Sequence, residues 1–492
     1  MATCLHGHHL TDEQLLQILD VARDWALTNG VVYKPFSSKD SKDGLSQAQC
    51  APFSLFPSVV PQRILQQAVD CMVDFNRLMY RVAQDHEFLK EALKSVIRVD
   101  PFVRGLWDIH CKVREEGIAQ PVSLDLFRND FMMNVTDSTK TTDAGIPPSS
   151  ALELKQIELN TISASFAGLI GATGHLHRYT LDLAGKTYSE KEMPDNDPAL
   201  GLAGGMVNAW EEYGTKSAVI LFLVSSIESN VIDQRWLEFK VHQLNHNIRI
   251  IRRTLLDIHS RASLSEDQKL IIDDCEVALV YLRAGYSHDS YPSDKEWSAR
   301  LLMERSKAIK CPTVQSQLSG CKKIQQELAR PGAVERYISD PAAVQRIRAT
   351  FAGQYSLDMG PEGDDAVKKA IASPDKYVLK PQREGGGHNL YGNEMKTRLE
   401  EIGSTPQREA YILMERIFPL PEKNYLIKTG LPFTLTDIVS ELGIYGVHIG
   451  SGEKEMVNLH CGHMLRSKVK GTDEGGIVAG FAALDTPFIV DV

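Results

Sequence analysis

The chain has 492 residues, 43% hydrophobic and 24% charged, with 54 Lys and Arg against 64 Asp and Glu for a net charge of −10. At about 150 residues per domain, this length allows about three domains or one large composite fold. The balanced composition excludes disorder, collagen and coiled coil as the main architecture, and the acidic charge argues against a nucleic-acid or anionic-membrane binder while leaving room for a local basic pocket.

The elements follow in chain order. Residues 10–30 read as a helix, with Thr11 as its cap, Leu15, Leu16, Ile18 and Leu19 on an apolar face, and Gly30 at its end. Residues 31–60 are turn-rich. Helical spacing dominates 63–97 (Ile64, Val69, Met72, Phe75, Leu78, Met79, Val82), and another helix fits 101–117. The Thr-, Ser-, Gly- and Pro-rich stretch 134–150 reads as a loop or insertion. The middle of the chain alternates: 218–224 is a buried-strand run, 231–245 has helical spacing, and 248–255 and 276–282 are further strands. That pattern predicts a small parallel sheet in an inserted unit at 217–320, within a larger unit made from 1–216 and 321–492.

The longest apolar run without glycine, 218–224, is seven residues, well short of the roughly 20 needed to span a bilayer. Asp12 and Glu13 interrupt the N-terminus, so no signal peptide is expected. Eight cysteines, none in a C-x-x-C pair, read as reduced thiols of a cytoplasmic protein. His6, His8 and His9 form a cluster that suits a solvated tail or, less specifically, a metal. Gly185-Lys186-Thr187 is no P-loop, because Thr180 stands where that motif needs its first glycine.

Four segments carry chemistry. In VLKPQREGGGHNLYG (378–392) an apolar strand delivers Lys380 and is followed by three glycines. Glycines leave backbone N–H groups free to turn towards phosphate oxygens, Lys380 can neutralise phosphate charge, and Glu384 is a hard oxygen donor for Mg²⁺. A plain glycine loop with solvated charges has the same outline. In LKQIELNTISASF (154–166), alternation puts Ile157 and Leu159 on one strand face and Glu158 and Asn160 on the other, where carboxylate and amide oxygens can share Mg²⁺. Ser163 and Ser165 then offer hydroxyls; an amphipathic strand with a wet face would look alike. In AYILMERI (410–417), Met414 and Ile417 could sandwich an adenine ring, although a core strand fits equally. Finally, HMLRSK (463–468) places Arg466 and Lys468 before the glycine-rich 474–480, an arrangement able to clamp a carboxylate or acyl phosphate or simply an exposed basic strand.

Together with SELGIYG (440–446), APFSLFP (51–57), KIQQELARPG (323–332) and RATFAGQYSL (348–357), these segments resemble the eukaryotic glutathione synthetases from about residue 50 to the end. The resemblance implies an α/β (α+β) ATP-grasp fold with N-terminal helices, an inserted parallel α/β substrate-binding domain at 217–320, and a glycine-rich lid within 377–420. It implies an ADP-forming ligase that joins γ-glutamylcysteine and glycine through an acyl phosphate. ATP is co-substrate, with Mg²⁺ as cofactor, two ions per active site.

Carried over position by position, the implied metal ligands are Glu158, Asn160 and Glu384. Implied ATP contacts are Glu158, Lys322, Lys380, Glu384, Gly385, Gly386, Asn389, Tyr391, Met414, Glu415, Ile417, Glu441, Lys468 and Glu474. Implied substrate contacts are Arg128, Ser163, Ala164, Ser165, Glu228, Asn230, Gln234, Arg283, Tyr286, Arg466, Ile477 and Val478. Arg128, Lys322, Lys380 and Arg466 are the expected catalytic cations. The resemblance also implies a homodimer, with neither nucleic acid nor membrane as partner. His388 replaces the family's asparagine, Glu474 its aspartate, and Ile477-Val478 a smaller pair. The alternatives are a ligase that adds another small amino acid, as in homoglutathione synthesis, and a catalytically idle ATP-binding scaffold.

Overall fold

The computed structural model describes residues 10–35, 48–137, 147–383, 388–428, 430–472, 476–477 and 480–491. The helix Asp12–Thr28 starts with a capping box in which Thr11 Oγ1 and the Gln14 side chain each bond the other's backbone N–H. The helical stretch 63–97 is two helices, Gln62–Gln84 and His86–Val99, broken at Asp85, whose carboxylate caps Phe88 N at 3.0 Å. Pro101–Glu116 follows, stopped by Gly117 with φ 94°.

A thirteen-stranded sheet, counted among the described residues, organises the molecule. At its centre is the 14-residue strand Val122–Val135. One edge pairs antiparallel with Leu435–Ser451, from Val122↔Ser451 to Met132↔Glu441. The other edge is shared: Ile309–Cys311 runs parallel at Ser123, and Leu152–Asn160 runs antiparallel from Arg128 to Val135. Lys454–Val469 extends the sheet beyond Leu435–Ser451. The expected parallel strands are present: Ile250–Arg253, Val219–Leu223, Cys275–Leu282 and Ile309–Cys311 lie side by side, all parallel. Through Ile309–Cys311 they continue the central sheet, and Val219 and Leu221 share a core with Phe75, Phe127 and Phe131.

Alternation along the central strand assigns its faces. Phe127, Phe131 and Met133 enter a core with the helices Gln62–Gln84, His86–Val99 and Pro101–Glu116. Leu124 and Leu126 enter the opposite core, under Ala167–Leu183 and Pro198–Tyr213. Close helix approach is possible at Gly446, where a Cβ would lie 2.3 Å from Asn76 Oδ1.

A second, four-stranded antiparallel sheet carries most of the segment expected as a lid and is termed the lid; its order is Gln354–Ser356, Tyr411–Glu415, Tyr377–Pro381, Leu390–Tyr391. Helices Pro361–Ala372 and Gly392–Ile402 flank it, and Leu379, Leu413, Met395 and Leu399 form its small core.

Candidate active site

Beyond Leu126 the next same-face residues of the central strand, Arg128, Asp130 and Met132, stand outside that core and form a platform. Neighbouring strands match them row by row. Asn160 stands opposite Arg128 and Glu158 opposite Asp130. Gly443 lies opposite Asp130, and Glu441 pairs with both Met132 and Arg466. Arg128 grips Asp130 through two bonds of 2.7 Å, Nε to Oδ1 and Nη2 to Oδ2. Asp130 Oδ2 also accepts from Asn160 Nδ2 at 2.9 Å and Arg466 Nη2 at 3.2 Å. Arg466 Nε donates to Glu441 Oε1 at 2.9 Å. Lys322, on the short helix Lys322–Leu328, brings Nζ to 3.0 Å from Glu158 Oε2.

Burial opposes the charged forms of Glu158, Glu441, Arg128 and Arg466, and pairing counters it to different extents. Burial pushes the Glu158 carboxyl up, but the Lys322 and Lys380 ammonium groups hold it down to about 2. Glu441 is raised by burial, and the Arg466 guanidinium offsets only part. Burial alone would weaken proton binding by Arg128 and Arg466, but Asp130 beside the first and Glu441 beside the second more than compensate, so both stay charged.

The lid faces this platform across a cleft of about 1100 Å³. Its register pairs Val378 with Met414 and Lys380 with Ile412. Val378, Lys380 and Met414 reach the cleft, while Leu379 and Leu413 between them turn into the lid core. Lys380 Nζ crosses to the Ile157 carbonyl oxygen at 2.7 Å. The Arg416 guanidinium carbon sits 5.3 Å from the Tyr391 ring centre.

At the other end of the cleft, the loop after Asn160 has left-handed backbone at Ser163 (φ 56°) and Phe166 (φ 74°). Asp233 holds that shape, accepting from Phe166 N at 2.6 Å and Gly168 N at 2.9 Å. Arg283 donates to the Ser163 carbonyl and, at 3.0 Å, to Ser165 Oγ. Glu228 is fixed by Ser225 N at 2.9 Å and Gln234 Nε2 at 2.8 Å. Asn230 Oδ1 is buried with no partner, an acceptor left for a ligand N–H.

Of the described residues that the sequence placed in the site, all but two line this cleft. Ala164 is 5% exposed and packs in the core, so only its backbone can meet a ligand; Gln234, 1% exposed, stands behind Glu228. Glu384, Gly385, Gly386, Glu474 and Val478 lie outside the described residues. The strict alternation expected through 154–160 does not hold. Asp130 pairs with Glu158 but Phe131 with Gln156, so Ile157 is the extra residue of a bulge. The bulge turns Ile157 to the cleft beside Glu158 and buries Gln156, which bonds Asn129 Oδ1 at 2.8 Å. Among the described residues, no group of three or more His, Cys, Asp or Glu is placed to hold a metal.

Comparison with known proteins decides the family. Residues 12–489 match the model described as "Eukaryotic glutathione synthase, ATP binding domain". The chain is 45% identical to the glutathione synthetase of Bos taurus over 98% of this chain and 99% of that one. It is 38% identical to the chloroplastic glutathione synthetase of Solanum lycopersicum over 98% of this chain and 86% of that one. A glutathione synthetase-like effector from Globodera pallida, solved in apo form, shares its fold with a TM-score of 0.77 at 27% identity, covering 99% of this chain and 100% of that one. The chain belongs to the eukaryotic glutathione synthetase family.

Within this glutathione synthetase family member the fold is α/β of the ATP-grasp type, with the cleft between sheet platform and lid. Sequence reasoning missed several cleft residues. Val378, paired with Met414, and Val439 add apolar lining, and Lys470 extends the cationic edge past Lys468, with Thr472 beyond it. It also missed Asp130, which joins three of the expected residues. A signal was there: Arg128 and Asp130 are opposite charges two apart on a strand, hence on one face.

Proposed function

We propose that the chain joins γ-glutamylcysteine to glycine at the expense of ATP, forming glutathione, ADP and phosphate. One observation carries this reading: a single cleft gathers the cations Arg128, Lys322, Lys380, Arg466 and Lys468 against apolar lid residues at one side and the serine loop at the other.

A carboxylate is a poor electrophile, so the γ-phosphoryl group of ATP first passes to the cysteinyl carboxylate oxygen, with ADP as leaving group. The glycine amine then attacks the acyl carbon; the C–N bond forms, phosphate leaves with the C–O electron pair, and the amine proton is released. In this scheme Lys322 and Lys380 neutralise the phosphate oxygens, and Arg128 and Arg466 hold the reacting carboxyl. Met414 and Ile417 clasp the adenine, with Glu415, Glu441 and Lys468 along the nucleotide and Asn389 and Tyr391 over its phosphates. Ser163, Ser165, Asn230, Arg283 and Tyr286 hold the dipeptide, with Glu228 kept in place by Gln234. Ile477 bounds the glycine end. Lid closure excludes water that would hydrolyse the acyl phosphate.

The donor set suits Mg²⁺. Glu158 remains ionised beside its lysines, and both Asn160 side-chain N–H groups are occupied, at Arg128 O (3.2 Å) and Asp130 Oδ2 (2.9 Å), which leaves its oxygen to the cleft. Glu158 and Asn160 would hold the ion with Glu384. When bound, Mg²⁺ supplies charge neutralisation and alignment of the phosphates.

The proposal extends to organisation: a catalytic unit of 1–216 and 321–492, a substrate-binding unit at 217–320, and a homodimer. Exposed Leu16 and Leu27 on the first helix and Phe239 on Val231–Leu244 supply apolar surface for a second copy. No helix among the described residues is long and apolar enough to cross a membrane, and their seven cysteines are all free, which supports a cytoplasmic setting.

The test is ADP release from Mg-ATP, γ-glutamylcysteine and one amino acid at a time. Fastest release with glycine, plus a tripeptide-mass product, is the expected result. Faster release with alanine or serine would overturn glycine as acceptor, and no release by folded protein would overturn the ligase reading.

A further inference from the structure

Asp130 touches most of the catalytic platform yet lines no part of the cleft, being 1% exposed. Four donors converge on it: Arg128 Nε on Oδ1 at 2.7 Å, and Arg128 Nη2 (2.7 Å), Asn160 Nδ2 (2.9 Å) and Arg466 Nη2 (3.2 Å) on Oδ2. These donors come from three strands, with Asp130 on the middle one. An ionised carboxylate only accepts hydrogen bonds. Together with the Arg128 carbonyl, which accepts from the same nitrogen at 3.2 Å, it sets the sense of the Asn160 amide: the nitrogen faces Asp130 and the oxygen faces the cleft. It also sets two guanidinium groups of like charge side by side, an arrangement that a shared carboxylate stabilises.

The space for this carboxylate is provided separately. Gly443 is its register partner on Leu435–Ser451. A Cβ there would lie 2.8 Å from Asp130 Oδ1, 2.9 Å from Met464 Cγ and 3.1 Å from Arg128 Cδ. Any side chain would push the pair out of line.

We propose that Asp130 is the positioning residue of this site. It keeps the Asn160 oxygen turned to the cleft and Arg128 and Arg466 aligned, while contacting neither nucleotide nor peptide. The inference rests on the ligase reading for its kinetic arm only.

Asp130→Asn keeps the size but substitutes an N–H₂ group for one acceptor, which leaves the sense of the Asn160 amide to the Arg128 carbonyl alone. Two measurements test the idea on the full-length protein. In steady-state kinetics, Asp130→Asn is expected to lower kcat at least 100-fold, with the KM for Mg-ATP rising by no more than the loss of Mg²⁺-dependent ADP affinity. In calorimetric titration with ADP, wild type is expected to bind more tightly with Mg²⁺ than with EDTA. Asp130→Asn should lose at least tenfold of that gain and keep its EDTA affinity within twofold. Gly443→Ala, which retains the charge but displaces it, should follow the same pattern more weakly.

A kcat within threefold of wild type would overturn the proposal. So would a parallel loss of metal-free ADP affinity, or failure of both variants to fold, each of which assigns Asp130 to stability alone. If wild type makes no glutathione but the ADP titrations behave as stated, the ligase reading falls and the positioning role stands.

Discussion

Lys322 and Lys380 act on the same carboxylate, Glu158, from opposite sides of the cleft, and they are held there by different means. Lys322 belongs to the body, where two large cores sandwich the sheet and Phe131 meets Phe75 edge-on at 6.5 Å. Lys380 belongs to the lid, whose own core among the described residues is eight side chains. Polar ties help to fasten the lid. Lys323, next to Lys322 and 2% exposed, reaches Ser356 Oγ at 2.9 Å and Asp358 Oδ2 at 2.8 Å. Arg98 meets Glu409 at 3.0 Å. Apolar burial scales with area, whereas polar ties exchange readily with water. The difference teaches that one wall of the cleft rests on a large core and the other on a small one, and regions with few buried apolar contacts are the ones expected to open first.

Breaking the wall that rests on the large core should have the largest effect. Arg128→Ala leaves Asp130 as a buried carboxylate without its main partner; a loss of about 3–5 kcal/mol is expected, read as a lower urea midpoint, together with loss of ADP release. Next comes the lid core. Leu413→Ala, at a fully buried position, should cost about 2–5 kcal/mol, but locally. Hydrogen exchange is expected to accelerate across 354–415 while the main thermal transition barely moves; a full shift of that transition would mean that lid and body unfold as one.

The third prediction sharpens the bond between the two walls through pH. Glu158 is depressed in the folded state to about 2 from an ordinary 4.5. Its contribution is therefore present above about pH 4.5 and is lost as pH falls towards 2. Glu158→Gln should flatten the acid limb of stability between these values, measured by urea unfolding at a series of pH values, and leave neutral-pH stability lower. The smallest effect is expected at the lid's outer tie. Glu362→Ala removes a tie to Arg330 in which both side chains are exposed, 61% and 40%, so less than about 1 kcal/mol should be lost, with lid exchange slightly faster and the body unaffected.

Much of both walls was legible in the sequence. The 3.6-residue periodicity of 63–97 and the apolar runs at 218–224 and 276–282 announce their elements, because each face is decided by near neighbours. The motif-bearing segments also name most cleft residues, since strand alternation sends Lys380 and Met414 outward whatever lies opposite. Ile157 was not legible. Whether a strand bulges depends on its partner, here the central strand some 30 residues earlier, and no local signal marks it.

The sequence by itself determined the helical stretches at 10–30, 63–97 and 101–117, the strands near 218–224, 248–255 and 276–282, and the inventory of charged and apolar side chains, all properties of periods of two to four residues. Only the tertiary structure decided that Asp130 faces a glycine across the sheet, that Asn160 is turned by that carboxylate, that Gln234 props Glu228 from behind, and that Ala164 is buried. The first depends on the register between strands hundreds of residues apart, Asp130 with Gly443, the second on that between strands 30 residues apart, and the others on how the layers pack. Register is set by the packing of both sheet faces at once, and packing of that kind exists only once the chain has closed on itself.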